Sequence, residues 1–85
     1  MPVEIKMKTL EYYVPSEESD DDPTFVMEFD ESVSEVDMFG QVAEKLNRAM
    51  VKYQHSWFDD LVNADVYTVK NLGNEVIGIA YLIRE

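Results

Sequence analysis

The 85-residue chain contains no cysteine, which excludes disulfide staples and thiolate metal sites. Its three glycines, Gly40, Gly73 and Gly78, are too scattered to form a phosphate-cradling loop. There is a single histidine, His55. Its neighbour Ser56 is adjacent in sequence, whereas the members of a catalytic triad converge from separate elements. The longest uncharged run, Val76 to Ile83, falls far short of the roughly 20 apolar residues of a membrane helix. The first residues alternate apolar and charged instead of forming a basic start and an apolar run, so no secretory leader is expected. A soluble cytoplasmic protein is the expectation.

A further absence is of one charge sign. Between Thr9 and Glu44 there is no lysine or arginine, and 12 acidic residues: Glu11, Glu17, Glu18, Asp20, Asp21, Asp22, Glu28, Asp30, Glu31, Glu35, Asp37 and Glu44. The remainder of the chain is nearly neutral, so this block accounts for the net charge of -11. Such a surface disfavours unaided binding to DNA, RNA or anionic lipid and favours basic partners. The block also contains Tyr12, Tyr13, Phe25, Val26, Met27, Phe29, Met38 and Phe39, side chains that pack. An apolar content of 46% places the chain among folded proteins rather than disordered tails.

Period-2 alternation predicts a first strand over 3–14, with Val3, Ile5 and Met7 opposed to Glu4, Lys6 and Lys8. The phase slips after Lys8, and a bulge near Lys8-Thr9 would reconcile the halves. Residues 15–23 form an acidic loop bracketed by Pro15 and Pro23. A second strand over 24–30 turns Phe25, Met27 and Phe29 inward and Glu28 and Asp30 outward. The two strands are expected to pair as an antiparallel hairpin.

A helix is predicted over 33–55. Ser32 and Glu35 fit a capping box, and Val36, Phe39, Val42 or Ala43, Leu46, Ala49 or Met50, and Tyr53 recur at helical steps. His55 is then a helix C-terminal residue favoured by the dipole, or a packed surface imidazole. Residues 56–62 either continue the helix or form a turn that tucks Trp57 and Leu61 under the core. Gly40 is a local weakness or a point of close packing. Strands are predicted over 65–71 and 75–84, joined by Leu72-Gly73-Asn74. The last strand is expected to be central, with Gly78 and Ala80 admitting the helix closely. The expected fold is α+β in the order ββαββ: a four-stranded, mainly antiparallel sheet with one long helix on one face. Small size, the lack of a staple and the nearly uncharged last strand favour a homodimer.

No constellation points to an enzyme. Asp20, Asp22, Thr24, Glu28 and Glu31 approach the spacing of a calcium loop, but Phe25 stands where that loop requires glycine. Asp59-Asp60 reads as a solvated face or local cap. No metal or cofactor is therefore expected.

The acids have local explanations taken singly: helix-dipole preference for Glu31, Glu35 and Asp37, strand exposure for Glu28 and Asp30, loop solubility for Asp20 to Asp22. Those explanations do not account for the total lack of bases, because ordinary surfaces intersperse both signs. Alternate carboxylates on a strand lie ~6–7 Å apart, and duplex DNA presents one charge per ~1.7 Å of axis. The functional reading treats the block as an imitation of a phosphate backbone, with Tyr12 and Tyr13 adding flat contact. The candidate partner-binding residues are Glu11, Glu17, Glu18, Asp20, Asp21, Asp22, Glu28, Asp30, Glu31, Glu35 and Asp37. Lys6, Lys8, Lys45, Arg48 and Lys52 are expected on a face turned away.

Small size, no cysteine and this acidic block on a folded chain resemble the phage-encoded DNA-mimic proteins that inhibit host DNA-binding proteins. Within that group the chain is most similar to the acidic inhibitors of the nucleoid protein HU from a Bacillus phage. The resemblance rests on charge, size and the block from Glu11 to Glu44, since DNA mimics share neither motif nor fold. It implies occlusion of the DNA-binding site of a basic host protein such as HU, without catalysis. The alternative is an acidic adaptor or inhibitor on a basic patch unrelated to DNA, as on RNA polymerase, a nuclease or a toxin.

Overall fold

The computed structural model of the protein describes residues 6–14 and 22–84. Among the described residues, five strands and one helix follow in the order β1 (Met7–Tyr13), β2 (Phe25–Asp30), α1 (Glu35–Lys45), β3 (Lys52–Asp59), β4 (Ala64–Lys70) and β5 (Val76–Arg84). The class is α+β, as the pattern implies, but the sheet has five strands, in the order β2-β1-β5-β4-β3. Every pairing is antiparallel. β5 is central, as its lack of charge requires, and β2 and β3 are the edges.

The helix is half the expected length, and its second half is replaced by a strand. Its stop is local. Leu46 is the C-cap and Asn47 takes the left-handed conformation, φ 58°. Arg48 N donates to Ala43 O at 2.8 Å and Asn47 N to Glu44 O at 3.0 Å. This is the Schellman closure that ends a helix by satisfying its last carbonyls. Tyr53, Trp57 and Phe58 are then better strand than helix formers, and β4 supplies their ladder. Tyr53 keeps the core contact that made it look helical, stacking on Phe39 with centroids 4.2 Å apart.

The helix also starts later than the capping box implied. Ser34 is the N-cap and its Oγ accepts from Asp37 N at 3.3 Å. Ser32 instead belongs to a turn, donating its backbone N–H and its hydroxyl to Asp30 Oδ1 at 2.9 and 2.7 Å.

The expected bulge in β1 does not exist. Met7 to Tyr12 pair in unbroken register with β2, and Lys8 to Tyr13 with β5. The phase set by Leu10 and Tyr12 governs the strand, so Lys8 points inward and is only 4% exposed. Its ammonium donates to the carbonyl oxygens of Glu31 (3.1 Å) and Val33 (2.6 Å). A buried charge is tolerable when it is hydrogen-bonded. Lys8 thereby ties β1 to the turn leading into the helix. The expectation that it marks a basic outer face is overturned.

The core lies between α1 and one face of the sheet. Met38, Phe39, Val42 and Ala43 of α1 cover Leu10, Tyr12, Phe29, Tyr67, Val69, Ala80 and Leu82. Gly78 does not admit the helix. Its vacant side-chain position is occupied by Tyr12, and a Cβ there would overlap that ring. Gly40 has nothing within 4 Å of its missing side chain, so it is not a close-packing point. In the β4–β5 turn the left-handed residue is Asn74, φ 67°, and not Gly73.

Candidate acidic interface

The face of the sheet opposite α1 carries the odd-numbered residues of β1 and their partners. Asp30 lies opposite Met7, Glu28 opposite Thr9 and Val26 opposite Glu11. Glu28 and Asp30 are therefore ~6–7 Å apart along β2, and Glu11 is diagonal to Glu28 across the pair, ~7–8 Å away. Glu28 and Asp30 are exposed and Glu11 is half-buried. No lysine or arginine lies among the described residues of this face on β1 and β2.

Tyr13 reports the field of this face. Its hydroxyl donates to Glu11 Oε1 at 3.0 Å. Its pKa is pushed up to about 12, first by burial, then by the hydrogen bond and charge of Glu11, with smaller contributions that include Asp22. Asp22 thus lies close to the same surface. Asp30 is held below the usual carboxylate range, chiefly by the backbone and hydroxyl hydrogen bonds from Ser32. It stays ionised well into the acid range.

The helix-entrance acids stand apart from this face. Glu31 pairs with Arg84, which also reaches Asp65 Oδ2 at 3.4 Å. Glu35 Oε1 accepts the Tyr67 hydroxyl at 2.9 Å, and burial followed by this bond raises the Tyr67 pKa. These contacts occupy both carboxylates on the helix side. Asp37 is exposed on the first turn of α1. Glu17, Glu18, Asp20 and Asp21 lie outside the described residues. The structure therefore gathers Glu11, Glu28 and Asp30 on one face, with Asp22 near enough to Tyr13 for its charge to act there, and separates Glu31, Glu35 and Asp37 from them.

Of the two tyrosines expected at the edge, Tyr12 is fully buried. Its hydroxyl donates to Ile77 O at 2.9 Å and its ring stacks on Phe25. Tyr13 remains on the outer face, edge-on to Tyr81. Tyr81 and the half-exposed Val26 border the acids and were not among the sequence candidates. The alternation of Ile79, Tyr81 and Ile83 against Gly78, Ala80 and Leu82 was the signal for Tyr81, and that of Val26 against Phe25 and Met27 the signal for Val26.

His55 sits mid-strand, as a packed surface imidazole rather than a helix-end residue. Its Nε2 lies 3.0 Å from Asp65 Oδ1 and its ring meets Tyr67 edge-on. Ser56 Oγ is 2.6 Å from Thr68 Oγ1, and Thr68 faces away from the helix, so His55 and Ser56 do not form a nucleophile–base pair. No described helix is long and apolar enough to cross a membrane. Compared with protein-family models, curated proteins and solved structures, the chain matches none.

Proposed function

We propose that the chain is a non-enzymatic DNA mimic that occludes the DNA-binding site of a basic protein, with an HU-type nucleoid protein as the leading target. The observation that carries this reading is the outer face of β1 and β2. Glu11, Glu28 and Asp30 form an uninterrupted acidic row there, with Asp22 beside Tyr13. A protein that grips DNA through phosphate-contacting lysines and arginines meets a row of negative charge without a base on this face. Tyr13, Tyr81 and Val26 add flat apolar contact beside the carboxylates. Glu31 contributes less because Arg84 neutralises it, and Glu35 because it stands on the helix side, against Tyr67.

The test is competition. Labelled duplex bound to an HU-type protein is titrated with this protein at low and moderate salt. A mimic displaces the duplex, and displacement weakens steeply as salt rises. Reversing Asp20, Asp21, Asp22, Glu28 and Asp30 together abolishes it while the fold persists. Displacement that survives the reversal defeats the reading. Binding that leaves the duplex in place assigns the protein to the acidic adaptors instead.

A further inference from the structure

The two edges of the sheet are protected unequally. On β2, the exposed Glu28 and Asp30 discourage edge-to-edge pairing, a usual device against association. β3 carries one acid and one base, Asp59 and Lys52, at its two ends. Between them Trp57 and Phe58 are about half exposed, at 48% and 51%. Leu61 just beyond is 93% exposed and Met50 just before is 58% exposed. Above the strand, on the helix side, lies an apolar groove of about 190 Å³ lined by Val36, Phe39, Gly40, Met50, Val51 and Tyr53.

We propose that β3 is a dimer seam. Two copies pair antiparallel along Lys52–Asp59 about a two-fold axis between His55 and Ser56, making one sheet continuous across both. The sequence of β3 is self-complementary in that register. Lys52 falls opposite Asp59 of the second copy, Tyr53 opposite its Phe58, and Gln54 opposite its Trp57. A two-fold interface uses the same patch twice, so the Lys52–Asp59 pair forms at both ends.

The faces match as well. Lys52, Gln54, Trp57 and Asp59 pair with Lys70, Thr68, Val66 and Ala64, all pointing away from the helix. Tyr53 and Phe58 pair with Val69 and Asp65, on the helix side. The register shift between His55 and Trp57 places the bulge at the two-fold axis and keeps both halves in phase. Phe58 of each copy then sits beside Tyr53 at the mouth of the other's groove. Leu61 approaches Met50 of the other copy.

The last strand cannot serve as this seam, because β5 is central and both its edges are paired. The seam does not depend on the DNA-mimic reading. It lies at the edge opposite β2, so both acidic faces remain open and point to the same side of the joined sheet.

Sedimentation equilibrium of the full chain, from micromolar to millimolar concentration, tests the seam. Lys52→Glu and Asp59→Lys should each weaken self-association by about tenfold or more, since each sets like charges opposite one another. The combined K52E/D59K variant restores the pair with its signs exchanged and should return to within about threefold of the parent. Lys6→Glu makes the same change in net charge away from β3 and should leave association unchanged. A parent chain that stays monomeric overturns the proposal. So does a Lys52→Glu variant no weaker than Lys6→Glu, or a combined variant no tighter than its single changes. Circular dichroism confirms that each variant retains its fold.

Discussion

Tyr12 lies across Gly78, two strands' worth of core filled by one ring. Its hydroxyl donates to Ile77 O at 2.9 Å, and a Cβ on Gly78 would overlap the phenol. Both partners are fully enclosed, so the ring has no route of escape. Gly78→Ala should destabilise the protein by about 1–3 kcal/mol, the usual cost of an overpacked core. Urea denaturation measures this, and an unchanged midpoint would contradict the packing.

Lys8 is the only buried charged side chain among the described residues. Lys8→Met keeps the length of the stem but leaves the carbonyls of Glu31 and Val33 without their donor. A loss of about 1–3 kcal/mol is expected, the cost of orphaned polar groups. Hydrogen exchange should accelerate first in the turn and first helical turn, residues 31–37.

Gly40 predicts the opposite sign. It lies in α1 with open space where a side chain would stand. Gly40→Ala should stabilise the fold by about 0.5–1 kcal/mol through helix propensity. A thermal melt below the concentration of self-association isolates this effect from the groove that Gly40 lines.

Alkaline pH should unfold the protein through its tyrosines. Tyr12, Tyr13 and Tyr67 all have pKa values raised above 10.0, each first by burial. The folded state therefore holds their protons more tightly than the unfolded state. The stability this provides is fully present below pH 10 and is lost as pH rises through the folded-state values, about 12 for Tyr13. Melting temperatures measured from pH 9 to 12 should decline across that window, with tyrosinate absorbance appearing late. A flat profile would show that these hydroxyls are solvated.

Replacing Glu28 by glutamine should raise the melting temperature at low ionic strength and change it little at high salt, whereas Asp30 is left in place because its carboxylate holds the Ser32 turn. The outer face of β1 and β2 repels itself, and salt screens that repulsion within ~10 Å at 0.1 M. Glu31→Gln should lower stability instead, because it releases Arg84 from its carboxylate. Equal shifts for the two variants would contradict the division of the acids into an open and an engaged set.

Much of the fold was legible because its determinants are local. The alternation of Phe25, Met27 and Phe29, the uncharged run of β5 and the acids around the helix start all act over a few residues. Residues 46–59 were not legible by period. Met50 and Tyr53 fit a helical stripe, and Tyr53 does pack on Phe39. Asn47 was the available stop signal, and the periodicity arises just as well from a strand that packs on the same helix. Lys8 was misplaced for a related reason. Alternation gives the period of a strand, while the choice of face came from Leu10 and Tyr12.

The concentration of charge was settled by the chain itself: a stretch without a base is negative in any conformation. Which carboxylates form one surface was settled by folding. Strand register set Glu11 beside Glu28, and the same sheet carried Arg84 to Glu31 from 53 positions away. Such pairings join residues that have no local influence on one another, so they exist only once the sheet has closed.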